Sequence, residues 1–348
     1  MTTHAPGRSA LSTDVLSPLL FFAAFAAFPF VMASDPYLLT VATRILIIAL
    51  AAMSLDLILG YGAMVSFGHA AFIGLGAYAM GIASEEGLEN IALVLPLTLL
   101  VCAGFGALMG AVSVRTKGIQ FIMITLAISQ MAYFGATSLA RYGGDDGLTL
   151  WGRSTLFGAR VFDDPLVFYL TTLCVLAAAY LLCRAIVNAR FGRVLQGIRE
   201  SEPRMASLGY NVDRYRLIAF VIAGAICGIS GILLANLTEF VSPAYMSWGR
   251  SADLIIILVI GGLGRLHGAL WGALVLLGLE ELIPYLFEDV LAPLFATGPD
   301  AGELSNTLHS ASETIAENWR VVLGPILILV ALYARGGLVN VFGKGLRP

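Results

Sequence analysis

Charge is scarce in this chain: Asp, Glu, Lys and Arg supply 12% of its 348 residues, against 58% for the hydrophobic types. A soluble domain carries about a quarter charged residues, so an ordinary water-soluble enzyme is excluded. Cysteine is rare as well. Cys102, Cys174, Cys183 and Cys227 sit in or beside apolar runs and read as small core residues, which argues against a disulfide or zinc framework. Nucleotide and hydrolytic signatures are missing too. No GxxxxGK[ST] loop occurs, and "VFGKGL" near the C-terminus lacks both the spacing and the hydroxyl. There is no HExxH and no CxxC, no metal site is expected, and the histidines (His4, His69, His267, His309) are scattered. With a net charge of −3, the placement of charge matters more than its sum, and no nucleic-acid partner is expected.

What the chain has is apolar runs. A helix needs about 20 residues to cross hydrocarbon, and candidate spans fall at roughly 17–34, 40–59, 64–83, 91–113, 119–140, 165–187, 216–238, 251–263, 267–287 and 320–335. The expected fold is therefore all-α: a multi-pass membrane protein of about ten spans in one transmembrane domain, residues 1–348. An even count puts both termini on one side. That side receives Arg8, Arg115, Lys117, the arginines from Arg184 to Arg216, Arg265, Arg335, Lys344 and Arg347. The other side holds Glu85, Glu86, Glu89, Asp145, Asp146, Asp163, Asp164 and an acidic stretch from Glu288 to Glu317. The positive-inside rule then makes both termini cytoplasmic. The first run has a single arginine before it and apolar helices directly after it, so it reads as a retained helix and not a cleaved signal. "IIILVIGGLGRLHGALWG" is either two short helices or one interrupted helix.

Soluble excursions are short. Residues 141–164 and 288–319 are expected as outside loops, the first rich in glycine and aspartate turns and the second with a surface helix at "SASETIAENW". The substantial inside segment is 188–216. It begins amphipathically, with Phe191, Val194, Leu195 and Ile198 at helical spacing and arginines between. Pro203 then suits the first turn of a new short helix, and Gly209 can end it in a left-handed conformation. Such a basic segment also suits anionic lipid, which makes membrane lipid a partner.

The most unusual stretch is "GYGAMVSFGHAAFIGLGAYAMG", residues 60–81. Ser66, Ala70, Gly74, Ala77 and Gly81 form a small-residue stripe that lets another helix approach closely, with His69 on the flank beside Ile73, Gly76 and Met80. Ser66 with His69 is the local candidate for a nucleophile and its base, and interhelical hydrogen bonding is the alternative. Gly62 and Gly68 allow a broken helix whose free backbone groups meet a zwitterion. A second segment echoes it: Gly261, Gly262 and Gly264 precede His267 and Gly272 much as the first glycines precede His69 and Gly74. Two related halves with broken helices are therefore expected, both breaks entering from one side.

Three stretches resemble the permease subunit of ATP-binding-cassette importers for branched-chain amino acids, of the LivM type. They are "LGYGAMVSFGHAAFIGLGAYAMG", "FGRVLQGIRESEPRMASLGYNVDRYRLIAFVIAGAICGISGILLA", and "FVSPAYMSW" with "IGGLGRLHGALWGALVLLGLEE"; "WRVVLGPILILVALYARGGLVN" is similar to the final helix. The resemblance implies a transport subunit in a bacterial-type inner membrane, without catalysis of its own. ATP and Mg would be bound by two partner ATPase subunits, so this chain would hold no cofactor. A second, homologous permease and an extracytoplasmic solute-binding protein would complete the system. The segment 188–216 is similar to the Glu-Ala-Ala…Gly loop that seats permeases on their ATPases. Glu202, Ala206 and Gly209 take comparable places, Pro203 and Arg204 replace the paired alanines, and Arg193, Arg199 and Arg204 could add charge pairing.

Energetics explain why such a chain needs ATP. Each tenfold of uphill accumulation costs about 1.4 kcal/mol, so a 10⁴-fold gradient needs roughly 5.5 kcal/mol. An ion gradient is the alternative source, in a secondary carrier with buried ionisable groups. Asp56, Asp253, Glu239 and Glu280 are the candidates, all near predicted span ends. Related subunits also serve urea and amide systems, and an intramembrane enzyme using Ser66 and His69 is the third class.

Overall fold

The computed structural model describes residues 8–32, 35–286, 321 and 324–325. Eleven α-helices lie among them. They are α1 (Arg8–Met32), α2 (Pro36–Leu59), α3 (Ala70–Glu85), α4 (Ile91–Ser113), α5 (Ile119–Thr137), α6 (Pro165–Asn188), α7 (Arg190–Glu200), α8 (Glu202–Ser207), α9 (Val212–Thr238), α10 (Trp248–Gly261) and α11 (Leu266–Tyr285). A two-stranded antiparallel ribbon, β1 (Leu148–Thr149) with β2 (Phe240–Val241), pairs Leu148 with Val241.

Capping chemistry sets several boundaries. Asn90 accepts from the Ala92 N–H at the start of α4, Asp164 from Leu166 at α6, and Asn211 from Arg214 at α9. Pro36 and Pro165 occupy the first turns of α2 and α6, where a missing N–H costs nothing.

Six helices, α2, α4, α5, α6, α9 and α11, are long and apolar enough to cross a membrane; α3 and the Leu16–Phe30 part of α1 are shorter apolar helices. The first nine of the ten expected spans each overlap a helix. The tenth, at 320–335, and the loop 288–319 fall outside the described residues, apart from three isolated positions. The 64–83 span departs from expectation. Residues 60–69 are non-helical, and the helix begins only at Ala70. The 251–287 region is two helices and not one interrupted helix.

At the centre of the bundle α9 packs against α2, α3 and α4, while α6, α10 and α11 pack around α2 and α1 lies across α6 and α11. Between membrane helices, close packing takes the place of a water-driven hydrophobic effect. Glycines provide it here. A Cβ on Gly76 of α3 would overlap the Gly228 carbonyl of α9, and one on Gly231 of α9 would overlap the Ile73 carbonyl. The tightest α3 contact is therefore on the Ile73–Gly76 flank. Gly74 and Gly81 of the small-residue stripe instead face Met246 and Val241, in the segment after α9.

The 141–164 loop is built on turns, as expected, with positive φ at Gly143, Gly144, Gly147, Gly152 and Gly158. It is fastened to the end of α9 by the ribbon and by Asn236, whose side-chain oxygen accepts from the Ser154 N–H and hydroxyl, both at 2.7 Å.

Candidate functional site

The two glycine breaks meet at the end of the bundle that carries α7 and α8. After Leu59 the chain turns: the Gly60 N–H bonds to the Asp56 carbonyl at 2.7 Å and the Met64 N–H reaches back to Ile58 at 3.0 Å. Ala63 takes a left-handed conformation (φ 55°), an uncommon state for a residue with a Cβ. The α10–α11 connection turns through Gly262 (φ 111°) and Gly264 (φ 75°). It ends against the first break, where the Gly264 N–H donates to Asp56 Oδ1 at 2.9 Å. Asp56 is fully buried, and its Oδ2 has no hydrogen-bond partner among the described residues.

The third participant comes from α7. Arg199 donates its guanidinium to the Gly60 carbonyl, the group left free where α2 ends. Leu195, one turn earlier, is so close to Gly62 that a Cβ there would lie 3.5 Å from its methyl group. Helix α7 is amphipathic as expected, burying Val194, Leu195 and Ile198, and Phe191 stacks on Tyr215 at 5.5 Å between ring centres. The 188–216 segment is thus bonded directly to the turn that precedes α3, and through Asp56 to the turn that precedes α11.

Helix α8 carries Pro203 in its first turn, and Gly209 beyond it has φ 86°, both as the sequence predicts. Arg193, Arg204, Ala206 and Gly209 are exposed, as are Leu208 and Tyr210. Glu202 differs: it turns toward the bundle, pairing with Lys117 at 2.8 Å and Arg216 at 3.2 Å. The hydrogen bond from Lys117, aided by Arg216, holds its carboxyl below the usual carboxylate range, against a smaller upward push from burial.

Deeper in the bundle, His69 and Ser66 are both fully buried but have different partners. His69 Nε2 lies 2.9 Å from Ser54 Oγ of α2, while Ser66 Oγ accepts from the Gly68 N–H at 3.3 Å. The histidine therefore joins two helices. Its backbone is held as well: Cys227 of α9 donates to the His69 carbonyl at 3.7 Å, and Ser251 of α10 accepts from the Ala70 N–H at 3.0 Å. Gly68 packs against the Thr125 carbonyl of α5. In the second segment, Gly261 packs on the Gly268 carbonyl, and His267 is buried in the first turn of α11.

The structure therefore brings Gly62, Arg199 and Gly264 to one place, sets Ser66, Gly68 and His69 above it, and leaves Gly74 apart on Met246. Asp56 lies near the end of its span, in the last turn of α2, as the sequence predicts. Its joining of the two breaks, and the roles of Ser54, Ser251, Lys117 and Arg216, were not foreseen. A charge inside "SLDLILGYG", followed at once by glycines, was the available signal for Asp56.

These features define a multi-pass helical membrane protein with a basic segment locked onto two broken-helix entries. Residues 37–331 match the family described as "Branched-chain amino acid transport system / permease component", and the chain belongs to that family. Among its relatives, the LivM permease protein of the high-affinity branched-chain amino acid transport system in Salmonella typhimurium is 26% identical over 74% of this chain and 65% of its own. The chain thus spans just under two-thirds of LivM's length. The LivH permease protein of Escherichia coli K12 is 24% identical over 68% of this chain and 80% of its own. The autoinducer 2 import system permease protein LsrC of Enterobacter sp. 638 is 26% identical over 80% and 83%. No solved structure matches the chain significantly.

Proposed function

We propose that the chain is the membrane-spanning permease subunit of an ATP-driven importer for branched-chain amino acids. The α7–α8 end faces the cytoplasm and seats on separate ATPase subunits, which hold the ATP and Mg. A second, LivH-like permease stands beside it, and a solute-binding protein docks on the 141–164 side. The observation that carries this is the bond from Arg199 of α7 to the Gly60 carbonyl, beside the Asp56–Gly264 contact. A partner that displaces α7 pulls directly on the turns that begin α3 and α11. The exposed residues of α8 and its left-handed Gly209 supply the surface for that partner.

Co-purification in mild detergent tests the assignment. Wild-type chain is expected to retain its cognate ATPase, and Gly209→Trp to lose it while remaining inserted and folded. A Cβ at Gly209 meets nothing within 4 Å, so the ring itself has room. The left-handed φ of 86° adds a backbone strain of about 1–2 kcal/mol that Gly209→Ala carries equally. Gly209→Ala is therefore the control and should keep the ATPase. The buried Asp56, with one oxygen unpartnered among the described residues, favours a second reading: an ion-coupled carrier. Uptake by the purified chain alone, under an ion gradient in liposomes, would establish that alternative.

A further inference from the structure

A cleft of about 140 Å³ opens between the turn before α3, the α4–α5 connection and the start of α9. A cavity of about 150 Å³ is enough for a benzene-sized ligand. The walls are apolar, formed by Met64, Val65, Val114, Phe121 and Ile122, but Lys117 and Arg216 also line it. Arg216 is nearly buried, with its side chain 13% exposed, and its Nε has no hydrogen-bond partner among the described residues. A buried donor left unmatched is costly, and the guanidinium group that carries it lines the cleft. The strained Ala63 lies on the same rim, and backbone strain of this kind concentrates at ligand sites.

We propose that this cleft binds a small carboxylate with an aliphatic tail. Arg216 and Lys117 hold the anionic end, and the tail lies against Val65, Val114 and Phe121. Two cations beside an apolar wall select against a neutral apolar molecule and against an amine. A carboxylate already bridges these cations: that of Glu202, on α8. Glu202 therefore competes with the ligand, and any shift of α8 that withdraws it frees both cations. Occupancy of the cleft and the position of α8 are linked, and the linkage is reciprocal. The carboxylate and aliphatic tail are shared with the proposed cargo, but the two cations disfavour its α-ammonium, so the preferred ligand is the aliphatic acid without one. The likeness to cargo rests on the permease assignment, whereas the site itself does not.

Binding of labelled 4-methylpentanoate to the full-length chain in phosphatidylcholine nanodiscs tests this. Saturable binding is expected, with no competition from isoamylamine. Arg216→Gln should weaken it by about tenfold, the loss of a charge-assisted hydrogen bond. Glu202→Gln should tighten it several-fold by releasing the cations, a gain that misfolding cannot produce. Absent saturable binding, equal competition by the amine, or affinity unchanged or weakened by Glu202→Gln would each overturn the proposal. Loss of binding in phosphatidylglycerol nanodiscs would overturn it in favour of a lipid headgroup. No ATPase takes part, so failure here leaves the co-purification result untouched.

Discussion

A methyl group on Gly60 would overlap the Asp56 carboxylate and lie 2.7 Å from the Gly264 Cα, and one on Gly264 would sit 3.0 Å from Arg199. Gly60 cannot accept a side chain without moving the second break, and at Gly264 the left-handed φ of 75° disfavours one. Gly60→Val is therefore expected to lower the thermal stability of the purified chain, by more than the roughly 1 kcal/mol typical of point substitutions. Asp56→Leu leaves the Gly264 N–H without its acceptor, at a cost of about 1–3 kcal/mol, whereas Asp56→Asn keeps an oxygen in place and should cost less. Denaturation of the two variants in one detergent checks the order. Glu202 gives a pH-dependent contribution. Its folded-state affinity for protons is depressed, so the stabilisation is present above the unfolded carboxylate range and is lost as pH falls through the lower, folded value. Between pH 7 and 5 no change is expected from it. Below that range the wild type should lose stability that Glu202→Gln never had, by under about 1 kcal/mol because the pair is partly exposed.

Among the helices, α3 depends strongly on small residues, because its neighbour α9 comes within backbone contact at Gly76 and Gly231, as α10 and α11 do at Gly261 and Gly272. Gly231→Leu is expected to force the two apart and abolish the folded monodisperse peak in size-exclusion chromatography. Gly104→Leu on α4, which meets nothing within 4 Å, should leave the peak unchanged. A helix face rich in glycine and alanine was legible in residues 60–81; the face used was not. Every side of α3 carries small residues, so periodicity cannot rank them. The α9 backbone at Gly228 and Gly231 that decides the matter is about 150 positions away in sequence. Helix α8 is the opposite case. Pro203 and Gly209 are local backbone constraints, and the turn they encode appears where they place it.

For the molecule as a whole, the burial of the spans differs: α2 and α9 are mostly enclosed, whereas α4 and α5 are largely uncovered, with Leu100, Met123, Met131 and Phe134 exposed. Such apolar faces require lipid or another membrane chain around them. The charge distribution makes the proposed orientation testable. In a Cys174→Ser background, Gly158→Cys should react with a membrane-impermeant maleimide on intact cells, and Gly209→Cys only after the membrane is opened. Both glycines are exposed, and the remaining thiols are buried. The reverse pattern would invert the topology.

The sequence by itself determined the class of protein, most helix boundaries, the amphipathic α7 and the short α8, because hydropathy, caps and proline act within a few residues. It also marked both glycine breaks. Only the tertiary structure decided that these breaks touch, that Asp56 joins them, that Arg199 reaches Gly60, and that Glu202 faces inward to Lys117 and Arg216. Each of these is a polar contact between residues far apart along the chain or across a helix boundary. Inside a bundle with little water, an unmet backbone group takes whichever partner the packing brings, and no local pattern encodes that choice.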